Sequence, residues 1–146
     1  MLLKGITAVS AVAAVLICAC GGVVFWWLPA LFVGAFLVLT LAAFGFLCLV
    51  CALVHLDKPQ EHDSPFFRKL AYLYIDAVMT ILRVRVHTRG LEKTPESGRF
   101  LLVCNHLNDM DPLTLLAYFK SSQLAFISKR ENNDMFIIGK LMHRLM

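Results

Sequence analysis

Residues 100–112 have the sequence FLLVCNHLNDMDP, which joins an apolar run, a polar turn and a helix start. The run from Phe100 to Cys104 is typical of a short strand buried on both faces. Asp111 followed by Pro112 is typical of a helix start, with the aspartate as N-cap and the proline at the first helical position. The stretch therefore predicts one strand–turn–helix unit of an α/β domain, with His106 in its turn.

The segments on either side continue the alternation of strands and helices. Apolar and polar residues alternate strictly along residues 82–89, which predicts a half-exposed strand that ends at Gly90. Residues 94–98 are typical of a loop. Further helices are predicted at 65–81, 111–120 and 134–146, and a further strand at 123–128. This order predicts an α/β domain with a mainly parallel sheet.

The helix predicted at residues 65–81 is amphipathic. Ser64 and Pro65 supply its N-cap and first position, and its polar stripe consists of Arg68, Tyr72, Asp76 and Thr80. The apolar stripe can pack on the domain core or lie along a membrane surface, and the two roles are compatible. The cations of the following strand can form an ordinary solvated face or meet lipid phosphates, and a solvated face is the commoner case.

The composition divides the chain into an apolar front and a polar back. Of the 146 residues, 59% are hydrophobic, and the 50 residues between Lys4 and His55 contain no Asp, Glu, Lys, Arg or His. A bilayer core needs roughly 20 apolar residues in a helix, so this run is long enough for two. The composition therefore excludes an ordinary water-soluble domain for the front part of the chain.

The apolar front predicts a helical hairpin in the membrane. Paired tryptophans and a proline in Trp26-Trp27-Leu28-Pro29 mark the break, which gives transmembrane helices at about 6–27 and 30–54. A re-entrant pair that dips into one leaflet satisfies the backbone equally well. We therefore expect a membrane anchor at residues 1–56, a linker at 57–64 and the α/β domain at 65–146.

The flanking charges predict the orientation of the hairpin. Basic residues flank it at Lys4, Lys58, Arg68 and Lys69, while the connecting turn carries no charge. The positive-inside rule then places the polar domain on the cytoplasmic side of the inner (cytoplasmic) membrane. A cleaved signal peptide within Met1 to Ala19 is the alternative, although the second apolar run would still hold the protein in the membrane.

Four of the five cysteines lie in the apolar front, where a thiol behaves as a small hydrophobe. The spacings Cys18-x-Cys20 and Cys48-x2-Cys51 also fit metal ligands or disulfides. Neither segment contains a histidine or carboxylate, and a thiolate in hydrocarbon is costly. We therefore favour the apolar role.

His106 and Asp111 are the candidate catalytic pair. A histidine at the carboxyl end of a buried strand lies where open α/β sheets place their ligand crevices. A turn of this length can bring the carboxylate of Asp111 to one imidazole nitrogen, which leaves the other nitrogen free as a base. Asp109 is the alternative partner. A metal site built from His106, Asp109 and Asp111 is a further alternative that lacks a clear fourth ligand.

Asn105-His106-x4-Asp111 after an apolar strand resembles the His-x4-Asp motif of the glycerolipid acyltransferase family. Ser128-Lys129-Arg130-Glu131 with the later Gly139 is similar to that family's Lys-x-Glu block, and residues 84–90 resemble the strand that precedes the motif. The likeness spans about residues 65–146 and is closest to 1-acylglycerol-3-phosphate acyltransferases. The chain departs from the family at Asn108, where serine is frequent, and at Phe136, within a block that often contains proline.

The resemblance implies an O-acyltransferase in which His106 is the general base and Asp111 orients it. The donor would be acyl-CoA or acyl carrier protein, with no other cofactor and no metal, and the acceptor a lysophospholipid such as 1-acylglycerol 3-phosphate. Asn105 and Lys129 would contact substrate, and phosphatidic acid would be the product. Membrane phospholipid is an expected partner, and nucleic acid is not.

The family's phosphate-binding segment, of the type Phe-Pro-Glu-Gly-Thr-Arg, has no counterpart in these residues. We therefore expect residues 65–146 to be a truncated acyltransferase domain that continues beyond Met146 and is inactive alone. Two alternatives stay open: an acyltransferase with another acceptor, such as glycerol 3-phosphate or an aminolipid, and a membrane-anchored lipid-binding protein without activity.

Overall fold

The computed structural model describes residues 1–56, 63–95 and 98–145. The predicted linker therefore lies largely outside the described residues, as do Lys58, two positions of the predicted loop at 94–98, and Met146. Within the described ranges, five α-helices follow in chain order: α1 Leu2–Gly21, α2 Leu28–Ala52, α3 Pro65–Ile81, α4 Asp111–Tyr118 and α5 Ile138–Leu145. Short 3-10 helices lie at Phe25–Trp27, Leu91–Lys93 and Arg130–Asp134.

Helices α1 and α2 form the N-terminal hairpin, with its turn earlier than predicted. The turn follows Gly22, which ends α1 in the left-handed region at φ +62°, a conformation that glycine adopts without strain. Pro29 does not break α2 but lies in its first turn, where a missing N–H costs no hydrogen bond. The exposed Trp26 and Trp27 lie in the 3-10 helix between the two helices.

Both hairpin helices are long and apolar enough to cross a membrane. Ser10 and Ala14 are the buried residues of α1, and small residues of this kind allow two helices to approach closely. Most of the large side chains are exposed, including Val12, Leu16 and Leu41. Such an apolar surface is unfavourable in water but matches hydrocarbon. The hairpin therefore suggests membrane association.

Helix α3 lies between the hairpin and the rest of the described domain. On one side its Leu70 packs with Leu47 and Cys51 of α2. On the other side it contributes to a core cluster of Ala71, Ile75, Met79, Leu116 and Leu145. Because the helix is covered on two sides, it buries a wider surface than the single apolar stripe predicted from its sequence.

A Schellman motif ends α3 where the first strand was predicted to begin. The N–H of Val84 donates to the Met79 carbonyl at 3.0 Å, and the N–H of Arg83 donates to the Thr80 carbonyl at 3.2 Å. Arg83 has a φ of +53°, in the position that glycine usually occupies in this motif. A strand cannot start at residue 82 because Arg83 adopts a left-handed conformation.

The α/β class is not confirmed by the structure, because no strand is found among the described residues. The predicted strands at 82–89, 100–104 and 123–128 lack regular secondary structure. Gln123 has a φ of +43°, which is incompatible with a strand start. Leu101 and Val103 are 81% and 80% exposed, whereas a buried strand was predicted there. A strand requires a partner ladder, and no backbone hydrogen bond joins these segments in the described part of the chain.

The last two helices differ from the prediction in length. Helix α4 ends at Tyr118, and α5 begins at Ile138, four residues later than the helix predicted at 134–146, after the 3-10 helix Arg130–Asp134 and a short turn. Gly139 lies at the junction and is buried: a Cβ atom there would be 2.3 Å from the Asn133 carbonyl oxygen. Only glycine therefore allows α5 to begin so close to the 3-10 helix.

Candidate active site

Asp111 gathers three donors of the turn on one carboxylate oxygen. Its Oδ2 lies 3.2 Å from Nδ1 of His106 and accepts hydrogen bonds from the N–H groups of Leu107 at 2.8 Å and Asn108 at 2.9 Å. The carboxylate thus closes the turn that carries the histidine. The structure brings His106 and Asp111 together, as the sequence predicted.

Asp111 does not act as the N-cap of α4, which was its predicted structural role. Met110 occupies the cap position, and Asp111 is the first helical residue. Its side chain points back toward the preceding turn, where it accepts the N–H groups of residues before it in the chain. This reversed direction frees the carboxylate to meet the imidazole.

Asn108 shapes the same turn in a way that the sequence analysis missed. Its side-chain Oδ1 accepts the N–H of Met110 at 3.0 Å, and its carbonyl accepts the N–H of Asp111 at 2.9 Å. Asparagine often folds a turn through such a bond to the backbone two residues later, which is the signal that could have identified it. The departure at Asn108 therefore supplies a turn-forming side chain.

The hydrogen bonds of the turn keep Asp111 ionised. The N–H groups of Asn108 and Leu107 are the largest causes that lower the pKa of Asp111, and His106 adds to them. A carboxylate that stays ionised at neutral pH favours the His106 tautomer with its proton on Nδ1. Nε2 is then the nitrogen with a free lone pair, as a general base requires.

The imidazole is open to a substrate. The side chain of His106 is 61% exposed and that of Asp111 is 35% exposed. Leu107, next to the histidine, is 91% exposed. Asn105 is also exposed. No hydrogen bond to the side chain of Asn105 is present among the residues that the structure describes.

Lys129 is exposed and lies at the start of the 3-10 helix that ends at Asp134. Its carbonyl accepts the N–H of Asn132 at 3.1 Å. In the described part of the chain, no hydrogen bond or ion pair joins Lys129 to His106 or Asp111. The structure therefore gives Lys129 no direct contact with the candidate pair.

The structure supports neither Asp109 as the partner of His106 nor a metal site at this turn. Asp109 is exposed, and the partner of the imidazole is Asp111. No group of three or more His, Cys, Asp or Glu side chains suited to a metal ion occurs among the described residues.

Arg68 is a structural residue that the sequence analysis placed on the polar stripe of α3. It is only 6% exposed. Its guanidinium donates to Asp63 at 2.5 Å, to the Leu145 carbonyl at 3.0 Å and to the Leu124 carbonyl at 3.5 Å. Burial acts to lower the pKa of Arg68, but hydrogen bonds to Asp63 and Tyr72 raise it on balance. Arg68 thus ties the start of α3 to two later parts of the chain.

Residues 85–146 match the Acyltransferase family model. The matched segment contains His106, Asp111, Lys129 and Gly139, and it covers less than half of the chain. The match supports the acyltransferase family, and hence acyl transfer in general. No curated protein and no solved structure is a match for the chain.

Proposed function

We propose that the protein transfers an acyl group from acyl-CoA or acyl carrier protein to the free hydroxyl of 1-acylglycerol 3-phosphate, which yields phosphatidic acid for phospholipid biosynthesis. The observation that carries this proposal is the contact between His106 and Asp111 inside the segment that matches the acyltransferase family. The specific acceptor comes from the likeness of the two sequence blocks to 1-acylglycerol-3-phosphate acyltransferases.

The geometry supports a direct transfer. Nε2 of His106 accepts the proton of the acceptor hydroxyl while the hydroxyl oxygen attacks the thioester carbonyl. The carbon–sulfur bond breaks, and the departing thiolate takes the proton back from the imidazolium. Asp111 holds the imidazole by Nδ1 and stabilises its positive charge in the transition state. Neither an acyl-enzyme nor a cofactor is needed.

The surroundings of His106 are compatible with a lipid substrate. Exposed Leu101, Val103 and Leu107 offer apolar surface to an acyl chain. Asn105 directly precedes His106 in the chain, and we assign its side chain to substrate binding. The exposed cation of Lys129 is assigned to the acceptor phosphate, to which a lysine is attracted as a point charge.

We place residues 1–56 in the inner membrane as the anchor and the remainder on its cytoplasmic side. The two long apolar helices support the anchor. Lys4 and Lys69 are exposed and support the orientation. Arg68 does not support it, because its charge is buried and paired with Asp63. Cleavage by protease added to sealed inside-out vesicles, but not to right-side-out vesicles, would agree with this orientation.

The activity is tested with the full-length protein in its membranes, because residues 65–146 alone are expected to be an inactive part of the domain. Given acyl-CoA and 1-acylglycerol 3-phosphate, the membranes should release CoA and form phosphatidic acid, and His106→Ala should abolish both. His55→Ala is the matched control, because His55 is an exposed histidine after the end of α2 and outside the turn. Glycerol 3-phosphate and other lysolipids replace the acceptor in parallel reactions. Faster transfer to one of these would overturn the proposed acceptor but not acyl transfer, whereas no transfer to any acceptor would overturn the function.

A further inference from the structure

Helix α3 contacts α2 at points that move from the C-terminal end of α2 toward the hairpin turn. Leu70 packs with Leu47 and Cys51. One turn later, the Tyr74 hydroxyl donates to the Ala43 carbonyl at 2.5 Å. Leu73 lines an apolar cavity together with Leu39. The contacts with α2 therefore move toward the hairpin turn as the residue numbers rise along α3.

Toward its C-terminal end, α3 lies beside the start of α1. The same apolar cavity is lined by Met1, Leu2, Gly5, Ile6 and Val9. The terminal ammonium group of Met1 forms an ion pair with Asp76. In a membrane hairpin the charged ammonium and Lys4 belong at the headgroup level. Asp76 is therefore at this level as well.

The C-terminal end of α3, which lies near the headgroup level, exposes apolar side chains. Ile81 lies five residues beyond Asp76, which is about 7 Å along a helix axis. Ile81 is 61% exposed and Leu82 is 56% exposed. The headgroup layer on each side of the hydrocarbon is about 5–7 Å thick. The two side chains lie on the hairpin-turn side of Asp76 and within about one headgroup thickness of it, which is close enough to reach the boundary between headgroups and acyl chains.

Exposed polar side chains, three of them arginines, follow the two apolar residues at alternate positions. Val84 and Val86 pack against the core cluster, while Arg83, Arg85, His87 and Arg89 are exposed. None of the three arginines forms an ion pair with a carboxylate in the described part of the chain. The charge is uncompensated and lies directly beside apolar side chains, which is the combination that binds an anionic membrane surface.

We infer that residues 81–89 form an interfacial segment that docks on the anionic lipid headgroups of the bilayer holding the hairpin. Ile81 and Leu82 enter the headgroup boundary, and the arginines contact lipid phosphates. The segment adjoins the domain that carries His106 and fixes its position against the membrane. This inference rests on the proposed membrane anchor and is independent of acyl transfer.

Trypsin provides a test with internal controls, because the cations of the segment are themselves cleavage sites. The whole chain is placed in nanodiscs of phosphatidylcholine alone or with added phosphatidylglycerol, and cleavage rates are measured by mass spectrometry. Anionic lipid should slow cleavage after Arg83, Arg85 and Arg89 by at least about fivefold, the factor that one cation contributes at such a surface. Cleavage after the exposed Lys93 and Arg99 should not change.

Two double variants distinguish lipid binding by this segment from an effect of the overall charge of the protein. Arg85→Gln/Arg89→Gln should remove the lipid-dependent protection at Arg83, and Lys93→Gln/Arg99→Gln should preserve it. Equal slowing at all sites, or equal rates in the two lipids, would overturn the inference. Protection by soluble glycerol 3-phosphate with neutral nanodiscs would also overturn it, because the ligand would then be a free phosphate. A chain that is not retained in nanodiscs would refute the anchor and this inference together, with activity playing no part in the readout.

Discussion

Nδ1 of His106 lies 3.2 Å from Oδ2 of Asp111, on the same oxygen that accepts the N–H groups of Leu107 and Asn108. One carboxylate oxygen therefore both folds the turn and orients the candidate base. The structure of the turn and its chemistry depend on the same negative charge. A change at Asp111 should therefore alter the stability of the turn, its pH dependence and the activity, and each of these effects can be measured.

Protonation of Asp111 should open the turn. Its pKa is lowered, first by the N–H groups of Asn108 and Leu107. A carboxyl with a folded-state pKa below its unfolded value of about 3.9 stabilises the fold above that pH, and the effect is lost as the pH falls through the lowered value. Hydrogen exchange of the Leu107 and Asn108 amides should thus be slower in the wild type than in Asp111→Asn at neutral pH, and equal once the pH is well below 4.

The control for the turn is Asp109→Asn, which removes a neighbouring exposed carboxylate. It should exchange like the wild type throughout the pH range. A wild-type turn whose amides exchange as fast as those of Asp111→Asn at neutral pH would contradict the hydrogen bonds described.

Gly139→Ala should displace α5 from the 3-10 helix before it. The added Cβ would lie 2.3 Å from the Asn133 carbonyl oxygen, which is backbone and cannot rotate away. Overpacking of this kind typically lowers the free energy of unfolding by about 1–3 kcal/mol. Denaturant unfolding in detergent measures the loss. Gly34→Ala is the control, because a Cβ there meets nothing within 4 Å. Equal stability of the two variants would refute the close approach.

The glycine illustrates which parts of the structure were accessible from the sequence. The start of α3 at Pro65 and its end at Ile81 were predicted by Ser64-Pro65 and by helical periodicity, and the structure confirms both. These signals are local. The close approach at Gly139 depends on how two successive helices meet, so the sequence pattern could mark the glycine but not its contact.

The sequence predicted less well the residues of α3, a helix that packs against two other parts of the protein. Arg68 was assigned to a polar stripe because a single helix face was taken as buried, yet α3 is covered by the hairpin and by the later domain. The strand at 82–89 was predicted from period-two alternation and that at 100–104 from a continuous apolar run, and neither pattern records whether a partner ladder forms. The pairing of His106 with Asp111 was predicted because a five-residue separation confines both side chains to one turn.

Arg68→Met should destabilise the domain strongly. The change leaves the half-buried Asp63 carboxylate without its partner, and the carbonyls of Leu145 and Leu124 lose a donor. Removal of one partner from a buried ion pair costs about 3–5 kcal/mol. Thermal unfolding followed by circular dichroism measures the effect. Lys69→Met changes an exposed neighbour and should stay within about 0.5 kcal/mol of the wild type. A similar small change for Arg68→Met would contradict the buried network.

Arg83→Gly should stabilise the end of α3. Arg83 has a φ of +53°, and a left-handed conformation costs a residue with a side chain about 1–2 kcal/mol that glycine does not incur. We expect the free energy of unfolding in detergent to rise by about 1 kcal/mol. Arg85→Gly is the matched control, because Arg85 has no positive φ and should gain nothing. A loss of stability in Arg83→Gly would contradict the Schellman motif.

The central claim is that Asp111 orients His106 as the base of an acyltransferase, and Asp111→Asn tests it most directly. The variant keeps the size of the side chain but cannot stabilise an imidazolium. We expect kcat for CoA release in membranes to fall by about 10²-fold or more, with little change in KM for the acceptor. Asp109→Asn, two residues away, should retain wild-type kcat. Wild-type kcat in Asp111→Asn, or an equal loss in both variants, would contradict the assignment of the pair.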